Sequence, residues 1–141
     1  MIKQGRIVTD DSELREILSG AKTVAVVGLS PKPARVSNMV WRHLQAFGYR
    51  ILPVRPAQGE ILGQRAFASL DDIEENVDIV NVFRSSDMIM PHAKEALRLK
   101  PKVFWMQLGI ENREAAQLLT AAGIDVVMNR CIKVDYDRLC R

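Results

Sequence analysis

A chain of 141 residues can close one sizeable core and is most simply a single domain, expected to run over residues 1–141. With 48% apolar and 26% charged residues it has the composition of an ordinary soluble protein, which argues against a disordered, fibrous or membrane-bound chain. The net charge of +3 arises from 20 cations interspersed with 17 anions, so a small anionic ligand fits better than nucleic acid.

No apolar stretch is long enough to span a bilayer, and the amino-terminal MIKQGRIVTDDSELRE is too polar for a signal peptide. The expected location is the cytoplasm, where Cys131 and Cys140 stay as free thiols. They form no CxxC pair, and His43 and His92 lie far apart, so no metal site is expected.

In chain order, TDDSELREILS (9–19) reads as a capped amphipathic helix with Leu14, Ile17 and Leu18 on one face. TVAVVGL (23–29) is a short apolar run ending in glycine, the pattern of a strand buried on both faces. From Val36 the period changes. Val36, Met39, Val40, Leu44 and Phe47 recur at helical spacing, and Gly48 stops the run. YRILPV (49–54) returns to strand chemistry and completes a right-handed βαβ unit.

Residues 55–73 form the one long irregular segment, with a short edge strand expected near Ala66–Ala68. VDIVNVF (77–83) is the next strand, followed by helical spacing of Ile89, Ala93, Ala96 and Leu97. KVFWMQL (102–108) is a strand closed by Gly109. Ala115, Ala116, Leu118, Leu119 and Ala122 mark a helix stopped at Gly123. IDVVMN (124–129) is the last strand, and VDYDRL adds a terminal turn of helix.

Strands alternating with helices predict an α/β protein, a single-domain Rossmann-like doubly wound parallel sheet. Ligands of such sheets bind outside the carboxyl ends of the strands. That rule selects Gly28 to Ser37, Arg55 and Pro56, Phe83 to Ser86, Gln107 to Gly109, and Asn129 to Cys131.

At the first tip, Gly28 lets backbone approach a phosphate, and the amides ahead of the Val36 helix point outward with the positive end of its dipole. Ser30 and Ser37 offer hydrogen bonds, Arg35 offers a guanidinium fork, and Pro31 and Pro33 stiffen the loop. A plain strand-to-helix turn accounts for the same residues. The three-glycine dinucleotide fingerprint is missing. The second tip carries Arg55 where NAD requires a carboxylate, which suits a ribose phosphate, as in NADP or coenzyme A. Arg84 and the serines beside it cap a helix or hold a ligand. Gln107 and Gly109 place an amide and bare backbone at the fourth tip, while Trp105 and Met106 read as core. Neither histidine is expected at a tip. Cys131, next to Arg130, is the one nucleophile near the site, and an inert buried thiol is its plainer reading.

Taken together, VGLSPKPARVS, GYRILPVRP, ILG, VDIVNVFR, WMQLGI and MNRC resemble, in order, the small stand-alone CoA-binding proteins. These are relatives of the CoA-binding domain in the α subunit of succinyl-CoA synthetase. The resemblance runs from about Leu14 to Leu139. It implies coenzyme A, or an acyl-CoA, held as a small-molecule ligand across the strand tips, with no established catalysis. Gly28, Leu29, Ser30, Arg35 and Ser37 match the phosphate-side loop. Arg55 and Pro56 match the second tip, where the family more often has asparagine before the proline. Phe83 and Arg84 match the third tip, and Gln107, Leu108 and Gly109 the fourth. The phosphohistidine and grasp domains of the larger ligases are not expected in this chain. The alternative is an NADP-dependent or CoA-transferring enzyme using the same pocket. Neither nucleic acid nor membrane is expected as a partner, and nothing in the sequence indicates an oligomeric state.

Overall fold

Five short runs rich in β-branched residues become parallel strands, and the amphipathic stretches between them become helices on both faces. The computed structural model describes residues 3–141; Met1 and Ile2, which fall within the expected domain, lie outside the described residues. Helix α1 (Asp11–Gly20) starts at Asp10, whose carboxylate accepts from the amides of Ser12 and Glu13, and it buries Leu14 and Leu18. Then follow β1 (Thr23–Val27), α2 (Val36–Gln45) and β2 (Arg50–Val54). A small antiparallel hairpin, β3 (Glu60–Ile61) and β4 (Gln64–Arg65), leads to a 3-10 turn at Leu70–Asp72. The chain continues through β5 (Ile79–Val82), α3 (Ile89–Leu99), β6 (Val103–Met106), α4 (Arg113–Ala121), β7 (Asp125–Val127) and α5 (Ile132–Cys140).

The sheet order is β2-β1-β5-β6-β7, with every pairing parallel. The expected Rossmann-like doubly wound sheet is therefore present. Successive strand residues point to opposite faces, and the cores divide accordingly. Ala25, Val27, Val80, Val82, Phe104 and Met106 meet α3 and α4 through Ala93, Ala96, Ala116 and Leu119. Val24, Val26, Ile51, Ile79, Val103 and Trp105 meet α1, α2 and α5 through Leu14, Leu18, Trp41, Leu44 and Ile132. Both sheet edges are covered. The amide of Val8 donates to the carbonyl of Val126 at 2.8 Å, and the amide of Phe67 to that of Pro53 at 2.8 Å.

Three expectations change. The buried face of α2 is Ser37, Asn38, Val40, Trp41 and Leu44, whereas Val36, Met39 and Phe47 are 65%, 49% and 42% exposed. The polar Ser37 and Asn38 take the inner positions because both bond the loop ahead of the helix. The edge strand expected near Ala66–Ala68 shrinks to a single bridge between Phe67 and Val54. The terminal turn is a nine-residue helix. Its charged sequence is compatible with burial because Asp135, 3% exposed, is paired by Arg130 and Arg138.

Candidate functional site

The strand order reverses between β1 and β5, which opens a crevice at the carboxyl ends of the strands. Three adjoining cavities of about 680, 370 and 490 Å³ lie there, and Phe83 borders all three.

The first and largest is walled by the loop from Gly28 to Ser37, with Arg55 and Gln58 opposite. The loop is held from within. The amide of Ser30 donates to Ser37 Oγ at 2.9 Å, Asn38 Nδ2 donates to the Ser30 carbonyl at 2.9 Å, and Ser30 Oγ accepts from the Lys32 amide at 3.1 Å. Both serine hydroxyls therefore act as acceptors in the loop, and each keeps its own proton to donate. Arg35 is the cap residue ahead of α2, and its side chain makes no capping bond, so among the described residues no side chain takes up the free first-turn amides. Asn38, 2% exposed, leaves Oδ1 without a partner among the described residues.

Lys32, Arg35 and Arg55 line this cavity and Arg84 the next. Among the described residues none of the four meets a carboxylate at ion-pair distance, whereas Arg50, Arg130 and Arg138 all do. Cations left unpaired beside an uncapped helix start make a ready anion site.

Gly28 has a role the sequence did not reveal. Its φ is +83°, and a Cβ on it would stand 2.8 Å from the carbonyl oxygen of Phe83. Glycine here lets the β1 and β5 tips close against each other, in addition to exposing backbone to the groove.

The second cavity runs between the β2 and β5 tips and is walled by Arg55, Pro56, Arg84, Ser69, His92 and Glu95, among others. Ser69 Oγ donates to Glu95 Oε2 at 2.5 Å, and His92 Nδ1 lies 3.0 Å from Glu95 Oε1. The carboxylate stands between hydroxyl and imidazole. This is not the serine–imidazole contact that a base-activated nucleophile needs, so the cluster is a polar wall. His43, by contrast, pairs with Asp137 at 2.8 Å on the α5 side.

The third cavity has mostly apolar walls, Val36, Phe83, Leu108 and Ile110, with Arg84, Gln107 and Cys131 among them. Gln107 ends a buried relay. Trp41 Nε1 donates to Asn81 Oδ1 at 2.9 Å, and Asn81 Nδ2 donates to Gln107 Oε1 at 3.3 Å. The Ile132 amide donates to the same oxygen at 3.3 Å, which leaves Gln107 Nε2 buried and without a partner among the described residues. Arg130 is not free to act on Cys131. Its guanidinium holds Asp135 at 2.6 and 2.9 Å, and that carboxylate pushes Arg130 above its usual range.

Of the sequence-predicted site residues, Gly28, Ser30, Arg35, Ser37, Arg55, Pro56, Phe83, Arg84, Gln107 and Leu108 border these cavities. Two do not. Leu29 is wholly buried in the core, because the residue after a strand tip turns inward here. The amide of Gly109 is committed to Asn129 Oδ1 at 2.7 Å, and its φ of +86° serves the turn after β6. Sequence reasoning included Lys32 only as part of the Gly28 to Ser37 loop, with no role of its own, and missed Gln58, Ser69, His92 and Glu95. His92 carried a usable signal: helices of βαβ units start at the carboxyl edge, and His92 lies in the first turn of α3.

A parallel α/β sheet with a cation-lined groove at its switch point defines a Rossmann-like domain. Residues 22–137 match the model of the family described as CoA binding domain, and the chain belongs to that family. It is 47% identical over 125 residues to the uncharacterized protein YneT of Bacillus subtilis (strain 168), covering 89% of this chain and 93% of that one. A solved structure from Thermus thermophilus has a TM-score of 0.89 at 47% identity, covering 93% of this chain and 99% of that one. The ADP-forming acetate–CoA ligase I of Archaeoglobus fulgidus is 27% identical over 121 residues. The match covers 79% of this chain and 18% of the ligase, so the chain corresponds to one part of a much longer enzyme.

Proposed function

We propose that the chain is a binding module for coenzyme A or an acyl-CoA, working as one domain and without a reaction of its own. The observation that carries this is the uncapped start of α2 among unpaired Lys32, Arg35 and Arg55, continuous with a mostly apolar cavity that ends at Gln107. A ligand with phosphates at one end and a long, sparsely polar arm at the other fits that order of environments. The family description supports the same ligand.

In this reading the first cavity takes the pyrophosphate, with Gly28, Ser30, Arg35 and Ser37 around it. Arg55 takes the 3′-phosphate. The second cavity takes the base, because Glu95 repels phosphate yet accepts a hydrogen bond from an exocyclic amino group. The third takes the arm and any acyl group beyond it. Both thiols are free, which fits a reducing cytoplasmic setting. No helix among the described residues is long and apolar enough to cross a membrane.

Calorimetric titration with coenzyme A, 3′-dephospho-coenzyme A, NADP and NAD tests the reading. Coenzyme A is expected to bind and NAD not to. NAD binding more tightly than coenzyme A, or four flat traces, overturns it, and NADP as the tightest ligand moves the assignment to the reductase alternative.

A further inference from the structure

The third cavity contains two groups that the binding reading leaves unused. Gln107, 4% exposed, spends Oε1 on Asn81 and Ile132 and keeps Nε2 buried with no partner among the described residues. A buried amide donor is costly unless an acceptor reaches it, so this one points to a ligand carbonyl. Cys131 lines the same cavity. It stands between β7 and α5 as the cap residue of that helix, half-buried, and its side chain makes no capping bond. The other thiol, Cys140, borders a separate cavity beside Leu18, Tyr49 and Tyr136, near the amino-terminal edge of the sheet.

We propose that the third cavity is a thiol-exchange site at which Cys131 is loaded with the ligand as a mixed disulfide. The inference rests on the coenzyme A reading for the identity of the thiol. The co-reactant is the ligand's own disulfide. Cys131 gives its proton to solvent and its Sγ attacks one sulfur of the symmetrical disulfide. That S–S bond breaks, the Cys131–ligand bond forms, and the departing half leaves as a thiolate that takes up a proton. One disulfide is exchanged for another, so no further oxidant is needed. Gln107 Nε2 holds the arm by an amide carbonyl, and the charged part of the groove supplies the local concentration of disulfide. Loading fills the groove covalently when the ligand pool is oxidised and reverses when it is reduced, so occupancy reports that ratio.

The test uses the full wild-type chain, reduced beforehand and then exposed in parallel to coenzyme A disulfide and to glutathione disulfide. Intact mass and peptide mapping follow the adducts. The expected result is a single coenzyme A adduct on Cys131, forming at least tenfold faster than the glutathione adduct there and tenfold faster than any adduct on Cys140. Excess adenosine 3′,5′-bisphosphate, which occupies the charged cavities but has no thiol, should slow it at least fivefold. An adduct on Cys140 alone, no adduct, or equal rates for both disulfides without protection overturns the proposal. Titration with reduced coenzyme A separates the two readings. Binding heat without a Cys131 adduct refutes the exchange site and leaves the binding module standing, whereas no heat and no adduct refutes both.

Discussion

Replacing Arg55 with alanine tests how the groove recognises charge. Its side chain borders the first and second cavities and has no carboxylate partner among the described residues, while its backbone amide donates to the Phe67 carbonyl at 2.8 Å and is untouched by the substitution. The fold should therefore lose less than about 0.5 kcal/mol. A guanidinium about 4 Å from a singly charged phosphate oxygen gains roughly 1 kcal/mol at the dielectric of water and roughly 4 kcal/mol at an effective constant near 20. A half-open groove lies between those limits, in line with the roughly 1.5–3 kcal/mol typical of a hydrogen bond to a charged group. The expected loss of coenzyme A affinity is thus about 10- to 150-fold. Titration of wild type and Arg55→Ala with coenzyme A and with its 3′-dephospho form, at low and high salt, reads it directly. The mutant should lose affinity for coenzyme A, hardly any for the dephospho form, and less of it at high salt. Equal affinity for coenzyme A in both proteins would refute the contact. An equal loss for both ligands would move Arg55 to another phosphate.

Three further outcomes follow from the geometry. Gly28→Ala should cost on the order of 2 kcal/mol of stability as well as coenzyme A binding, since its Cβ meets the Phe83 carbonyl at 2.8 Å in a left-handed backbone; urea unfolding at wild-type values would contradict this. Gly5→Ala should destabilise by about 1–3 kcal/mol, because its Cβ would lie 2.3 Å from the Ile124 carbonyl oxygen. It should leave coenzyme A affinity unchanged, because Ile124 precedes β7 at the opposite edge of the sheet, and titration of the folded mutant checks that. Glu75 is held below its ordinary 4.5 by its hydrogen bond with Arg50, and Asp11 below its ordinary 3.8 by its hydrogen bond with Arg138. Lowered folded values mean stability that is present above the unfolded pKa and lost as pH falls through the folded one. Urea midpoints should hold down to about pH 5 and decline below about pH 4, less steeply in high salt; a flat profile to about pH 3 would be inconsistent.

The five strands were legible because each is a short apolar run ending in glycine or a polar tip, which is what burial on both faces requires. The buried face of α2 was not. Val36, Met39 and Phe47 satisfied helical spacing without entering the core, while Ser37 and Asn38 sat inward on hydrogen bonds that no hydropathy pattern records. Val36 is exposed to solvent because it walls two of the cavities, so an apolar residue scored as core belongs to the site instead. α5 was underestimated for the opposite reason. Its Asp135 is buried, and its partners Arg130 and Arg138 lie five residues before it and three after it, a pairing visible only once the helix exists.

The least legible part of the groove is also the part that gives it direction. Gly28, Arg35 and Arg55 follow from the strand-tip rule, and alone they describe a uniformly cationic edge. Glu95 and His92 come from the first turns of α3, and Ser69 from the irregular segment after β2, so their meeting depends on how that segment packs on the helix. Their effect is to place a carboxylate, fixed by a hydroxyl on one side and an imidazole on the other, at one end of a row of cations. On the coenzyme A reading, phosphate is held by Arg55, Lys32, Arg35 and the uncapped start of α2 and kept from the Glu95 carboxylate. A neutral group that donates hydrogen bonds is the better occupant there. On the same reading, a polyanion with a base at one terminus and a long arm at the other lies across the three cavities with its base beside Glu95, which brings the end of the arm toward Gln107 and Cys131.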